Sequence, residues 1–315
     1  MPLNPPQVIL PNSLINEIKN MPDDQVSFRK AIYNVLLGKY TGIGTPHPQL
    51  IEAIRDDLTR NIAKTLANLQ DEVTFAVGKE FGVCDEWTAV NVYHCLLNTV
   101  ARISARVFVG LPLCRDEEWI KTTTNYTEDV IKAFKAISKY PFFVRPLVAQ
   151  FLPELRALNL ARHRAGKMLA PTVATIMKGS KLQSDTSWED ESMSPYTDDQ
   201  YNLISWILRH YKANQQPNAE AIGVEQLLTG FAAIHTTSTT ASHAIYDLAA
   251  YPQYIPELRA EINKVSAEEP DGKLKKTNMP KLRKLDSFIK ESQRMHPMGM
   301  GNYLSIYCQE TRGSN

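Results

Sequence analysis

Cysteine is scarce: Cys84, Cys95, Cys114 and Cys308 are the four in 315 residues. They form no CxxC pair and no dense framework, which excludes a zinc module or a disulfide scaffold as the organising principle. An excess of either charge is lacking too. The 35 Lys and Arg stand against 34 Asp and Glu, a net charge of +1. That balance makes no case for nucleic acid or an anionic membrane surface as the main partner. No apolar run approaches the ~20 residues of a membrane span. The best candidate, residues 107–113, is far too short. The start, Met1-Pro2-Leu3-Asn4-Pro5-Pro6, has neither the basic nor the apolar part of a signal peptide. HExxH, a Gly-rich phosphate loop and Gly-x-Ser-x-Gly are absent. Glycine is low at 14, and no series of alternating strands and turns is present.

What remains is helical periodicity. Residues 7–10 before Pro11 are the clearest strand candidate, and Asn12-Ser13 are expected to cap a short helix through Lys19. Residues 48–80 carry Ile51, Ile54, Leu58, Ile62, Leu66, Leu69 and Val73 at helical spacing. Residues 86–109 continue with Val90, Tyr93, Leu97, Val100, Ile103 and Val107, ended by Leu111-Pro112. Further helices are expected over 116–139 and 154–177, and a polar, acidic loop over 179–195.

The most informative segment is 218–251. Asn218 and Glu220 suit a helix start, and Tyr251-Pro252 a stop. At 1.5 Å per residue the helix is about 50 Å long. Its flanks are apolar, but its centre reads His235-Thr236-Thr237-Ser238-Thr239-Thr240. Hydroxyl residues are poor helix formers, because their side chains compete for backbone bonds. Two readings stand: a local opening of the helix, or, more plainly, a hydroxyl-rich face packed on another helix or on solvent.

Residues 279–297 form a second helix candidate, in which Glu291 and Arg294 share one face. A bare ExxR is weak evidence, since Glu52 and Arg55 have the same spacing. Here a Leu-Asp-Ser-Phe-Ile run precedes the motif and His296-Pro297 follows it. It lies downstream of the hydroxyl-rich centre, with Pro252 and a charged helix over 256–265 between them.

That combination resembles the cytochrome P450 superfamily. Ala232-Ala233-Ile234-His235-Thr236-Thr237 is similar to its long-helix motif, and Glu291-Ser292-Gln293-Arg294 to its Glu-x-x-Arg. Lys39-Tyr40-Thr41-Gly42-Ile43, Leu58-Thr59-Arg60-Asn61 and residues 106–115 look closer still to fungal enzymes of secondary metabolism, the kaurene-oxidase-like type. The resemblance implies a mainly α fold with the long helix across the distal face of a haem. It implies that Thr236 holds water and delivers protons, with His235 (where the family usually has an acid) and Thr237 beside it. Glu291 and Arg294 are then structural. Intact relatives use haem, an NADPH-P450 reductase and a small hydrophobic substrate at the endoplasmic-reticulum membrane.

The chain departs from the family in two places. The axial cysteine of a Phe-x-x-Gly-x-x-x-Cys-x-Gly loop is matched by none of the four cysteines, and residues 299–315 stop resembling the family. The membrane anchor, first helix and part of the small sheet also have no counterpart. No Trp-x-x-x-Arg is present for a haem propionate, which leaves Arg55 or Arg60 as substitutes. The expectation is therefore an incomplete P450 fold over 1–298 with an aberrant tail, binding no haem, inactive, and cytoplasmic for want of an anchor. Glu291 and Arg294 are expected to pair only with each other. Two rivals stay open: a gene whose full product is an active monooxygenase, and a helical interaction protein without chemistry. A terpene synthase is disfavoured, because Asp198-Asp199 lacks a third acid three residues on and a second metal motif.

Overall fold

The computed structural model describes residues 11–183, 202–211, 215 and 217–297. The expected strand at 7–10, most of the acidic loop, Asp198-Asp199, the tail from 299 and Cys308 lie outside them. The described residues are mainly helical and include no strand. They fall into two compact units, one from residues 11–46 and 128–160, the other from 47–127 and 161–297.

The helices are α1 (Ile15–Ile18), α2 (Phe28–Val35), α3 (Gly38–Thr41), α4 (Pro48–Glu52), α5 (Thr59–Phe81), α6 (Val92–Phe108), α7 (Glu117–Ser138), α8 (Arg145–Ala149), α9 (Pro153–Gln183), α10 (Leu203–Arg209), α11 (Ala219–Ala250), α12 (Tyr254–Ser266) and α13 (Arg283–Met295). A π-helical segment, Ala53–Leu58, joins α4 to α5. Within it Asp57 accepts a hydrogen bond from His210 Nε2 at 2.7 Å.

In the first unit, Ser27 caps α2 by accepting from Lys30 N. The Tyr33 ring packs against Gly38, where a Cβ would come within 2.1 Å of it. Gly44 takes φ +78° beside the Tyr33 backbone, a conformation that suits glycine. Asn12 and Ser13 do not cap the first helix as expected. They form a 3-10 turn, Asn12–Leu14, and Leu14 stands at the cap of α1.

The second unit is built around α11, which packs on α6, α10 and α13; α5 lies against α6 and α12 against α13. Its core holds Trp119, Trp206, Leu203, Ile204, Ile207, Leu169, Ile222 and Leu227, all fully buried. α11 and α9 meet backbone to backbone, since a Cβ on Gly223 would lie 2.7 Å from Gly166 N. Only glycines allow that approach.

The expected helix over 86–109 begins later than its periodicity suggests. Residues 82–91 are exposed, and α6 starts only where the Asn91 side chain accepts from His94 N. Before that cap the segment buries no face, so little favours a helix there. In contrast α9 runs on to Gln183, through the first part of the expected acidic loop. No described helix is long and apolar enough to cross a membrane.

Gly78, inside α5, faces open space: a Cβ there would have nothing within 4 Å. Gly78→Ala should therefore stabilise the chain by about 0.5–1 kcal/mol, the helix penalty of glycine. A urea midpoint that rises without a change in slope checks it.

Candidate functional site

The site is built on the middle of α11. Asn218 starts that helix by accepting from Glu220 N at 2.9 Å, and Tyr251 ends it. Ile222, Leu227, Gly230, Ile234, Ser238 and Ser242 recur on one buried face. The hydroxyl-rich centre does not open. Thr236 Oγ1 donates to Ala232 O (2.8 Å), Ser238 to Ile234 O (2.7 Å), Thr240 to Thr236 O (3.0 Å) and Ser242 to Ser238 O (2.8 Å). Each of these four hydroxyls finds a carbonyl one turn back, so even the buried Ser238 and Ser242 need no outside partner. Of the two readings, the plainer one holds: the hydroxyls divide between a packed face and solvent.

Ala232, Thr236 and Thr237 are exposed together on another face of the same helix. Next to them, His235 is held from two sides. Its Nε2 lies 3.0 Å from Thr124 O of α7 and its Nδ1 3.1 Å from the Tyr93 hydroxyl of α6. A carbonyl only accepts, so Nε2 carries the proton. In the neutral ring Nδ1 then accepts from Tyr93. Both ring nitrogens are thus engaged in joining α11 to its neighbours. The sequence offers Tyr93 only as an apolar position of its helix and Thr124 not at all, because both partners are far from His235 along the chain.

Glu291 and Arg294 lie on α13 as expected and meet in a bidentate pair, Nε–Oε2 2.8 Å and Nη2–Oε1 2.7 Å. The pair is exposed, and Arg294 holds the Glu291 carboxyl below the usual carboxylate range. Arg294 Nη2 also contacts Met295 Sδ at 3.1 Å. The similarly spaced Arg55 bonds Asp56 rather than Glu52, so its charge is already paired.

The end of α13 is fastened to α11 by groups the sequence did not bring together. His296 Nε2 bonds Asp247 Oδ1 at 3.0 Å, and the His296 ring stacks on His243 at 4.4 Å and 7°. The histidines, which show no clustering along the chain, therefore include one stacked pair. The Ser292 hydroxyl faces Asp247 without full hydrogen-bond geometry, and it and then His296 lower the Asp247 carboxyl. A carboxyl with a depressed folded pKa contributes stability above its unfolded value, about 3.9, which is lost as pH falls through the folded value. Thermal midpoints should thus fall below about pH 4 more steeply in the parent chain than in Asp247→Asn; parallel curves would remove Asp247 from that role.

None of the described cysteines stands in the Phe-x-x-Gly-x-x-x-Cys-x-Gly context of a haem-thiolate loop. Cys84 is exposed with its thiol toward Phe81 O, and Cys95 bonds Glu80 O at 3.3 Å. Cys114 is fully buried in the turn Leu113–Arg115, and burial first, then Glu72, pushes its thiol up to about 12. A thiol so placed stays protonated and is no thiolate donor. Among the described residues no group of three His, Cys, Asp or Glu side chains is arranged to hold a metal ion.

Comparison with known proteins accords with this geometry. The family profile described as Cytochrome P450 matches residues 47–303. The chain is 41% identical over 305 residues to cytochrome P450 monooxygenase ascG of Acremonium egyptiacum, covering 94% of this chain and 56% of that one. It is 39% identical to cytochrome P450 monooxygenase ataF of Aspergillus terreus, with 93% and 56% covered. It is 40% identical to cytochrome P450 monooxygenase BOA7 of Botryotinia fuckeliana, with 93% and 55% covered. The chain therefore spans little more than half the length of these curated relatives.

Proposed function

The chain belongs to the cytochrome P450 family, and on that premise we propose that it is a helical portion of a haem-dependent monooxygenase of fungal secondary metabolism, with α11 as its distal helix. The observation that carries this reading is the exposed strip Ala232, Thr236 and Thr237 on a continuous α11, with the Glu291–Arg294 helix packed beside it. When bound, haem supplies the oxygen chemistry in such enzymes.

The chain's own residues supply position and protons. Thr236 Oγ1 gives its hydrogen to Ala232 O, which leaves the oxygen's lone pairs free to accept from a water on the exposed side. Rotation of the hydroxyl then allows that proton to be handed on. Small Ala232 leaves room beside it, and Thr237 adds a second hydroxyl to the strip. His235 acts as a positioning residue, because relaying a proton would require it to release Tyr93 or Thr124. Glu291 and Arg294 set the surface of α13 for a later segment of the whole protein. Electrons would come to the whole protein from an NADPH-dependent reductase, and its substrate would be small and hydrophobic.

Cys84, Cys95, Cys114 and Cys308 all lack the glycine-bearing context of a haem-thiolate loop. We infer that the 315 residues by themselves do not run P450 chemistry. Sequencing the transcript beyond the codons for His296-Pro297 tests the wider reading. An in-frame continuation into Phe-x-x-Gly-x-x-x-Cys-x-Gly supports an active whole enzyme. A transcript that encodes residues 299–315 and then stops supports an inactive product.

A further inference from the structure

Two of the described thiols are placed for a chemistry of their own. Glu80 and Phe81 are consecutive residues at the end of α5. Cys95, in the second turn of α6, points its Sγ at Glu80 O (3.3 Å), and Cys84 points its Sγ at Phe81 O (3.6 Å). Successive carbonyl oxygens of a helix lie about 4 Å apart, given its rise and radius. The two sulfurs are thus no more than about 11 Å apart.

What separates them is easily moved. Residues 82–91 are all exposed, with Val83 and Trp87 almost wholly in solvent. Gly82, with φ +71° and nothing within 4 Å of a Cβ position, begins the segment. The loop has no buried apolar anchor to lose, so its displacement exposes no core. Neither thiol is in an ion pair or a closed core; each donates only to a main-chain carbonyl. Cys114 supplies the contrast, being fully buried with its thiol pushed up by that burial.

We propose that Cys84 and Cys95 form a dithiol–disulfide couple, a redox modification site that ties the end of α5 to the start of α6. The oxidant is a low-molecular-weight disulfide of the glutathione type. The Cys84 thiolate attacks one sulfur of oxidised glutathione and expels a glutathione thiolate, giving a mixed disulfide. The Cys95 thiolate then attacks the Cys84 sulfur and expels the second glutathione thiolate. The two protein protons end on the two glutathiones, so one protein dithiol is oxidised as one glutathione disulfide is reduced. The link closes two residues from Tyr93, whose hydroxyl holds His235.

The test treats the full chain with oxidised glutathione, natively and in urea, and follows intact mass and peptide maps. The proposal expects loss of two hydrogens with a Cys84–Cys95 cross-linked peptide, formed several-fold faster in the native chain than in urea. Cys114 should stay unmodified natively. Cys84→Ser and Cys95→Ser should each instead keep a stable glutathione adduct on the remaining thiol of the pair. Stable adducts on both cysteines of the parent chain would overturn the proposal. So would preferential pairing of either with Cys114 or Cys308, or a cross-link that forms no faster natively than in urea.

Discussion

Arg102→Met should cost about 3–5 kcal/mol of unfolding free energy, the usual result of removing one partner from a buried ion pair. Arg102 is 1% exposed in the middle of α6. Its Nε donates to Glu80 Oε1 of α5 at 2.9 Å, its Nη2 to both oxygens of Glu117 at 2.8 and 2.9 Å, and its Nη1 to Arg115 O at 3.4 Å. Arg115 in turn grips the fully buried Glu72 and lies 3.9 Å over the Phe75 ring. One guanidinium thus joins α5, α6 and the start of α7. Most of the loss comes from the Glu80 side, because Glu80 is nearly buried while Glu117 is exposed and its charge is screened by water. Methionine keeps much of the apolar stem, so the experiment reads the lost charge rather than a cavity. The exposed Arg294→Met is the control and should leave the urea midpoint unchanged. If both variants shifted it equally, the buried network would have no special weight.

Gly223→Leu should destabilise the chain by at least ~1–3 kcal/mol, the cost of overpacking. Two effects oppose each other at this position. Alanine in place of a mid-helix glycine gains up to about 1 kcal/mol. Against that, any Cβ at Gly223 meets Gly166 N at 2.7 Å and Ala165 C at 3.0 Å, and these are backbone atoms that cannot rotate aside. Helices α9 and α11 must then separate along the crossing, exposing Ile222 and Leu169 at the core. Gly223→Ala should therefore already be destabilising, and leucine more so. Gly78→Ala, in open space, is the opposite case. An alanine at 223 that stabilised the chain as one at 78 does would show that the helices are not in backbone contact.

Much of this fold could be read from the chain because its signals are local. Asn218 and Tyr251-Pro252 delimit α11, and both act within one turn of it. The same holds for the Glu291–Arg294 pair, whose partners are three residues apart. The start of α6 was misplaced because Val90 continues a helical spacing that no neighbour buries. The hydroxyl-rich centre invited an opening because propensity counts the competition of Thr and Ser for backbone bonds, yet back-bonding satisfies them without breaking the helix. The His243–His296 stack and the Tyr93–His235–Thr124 bridge join residues remote in sequence, and no spacing announces them. Arg102 carries no such signal either: the apolar spacing of Tyr93, Leu97, Val100 and Ile103 points to a neighbouring face, whereas α6 buries Leu96, Thr99, Arg102 and Ala105, where a charge requires a partner.

The central proposal, that these residues form a helical portion of a P450 without a thiolate for its iron, is tested most directly by a carbon monoxide difference spectrum. The purified chain is supplied with haem and reduced before the gas is added. The account predicts no thiolate-type Soret band, since none of the four cysteines stands in the glycine-bearing context of the ligand loop and burial pushes the Cys114 thiol up to about 12. A clear thiolate-type band would mean that one of the four cysteines reaches the iron, and it would contradict that proposal.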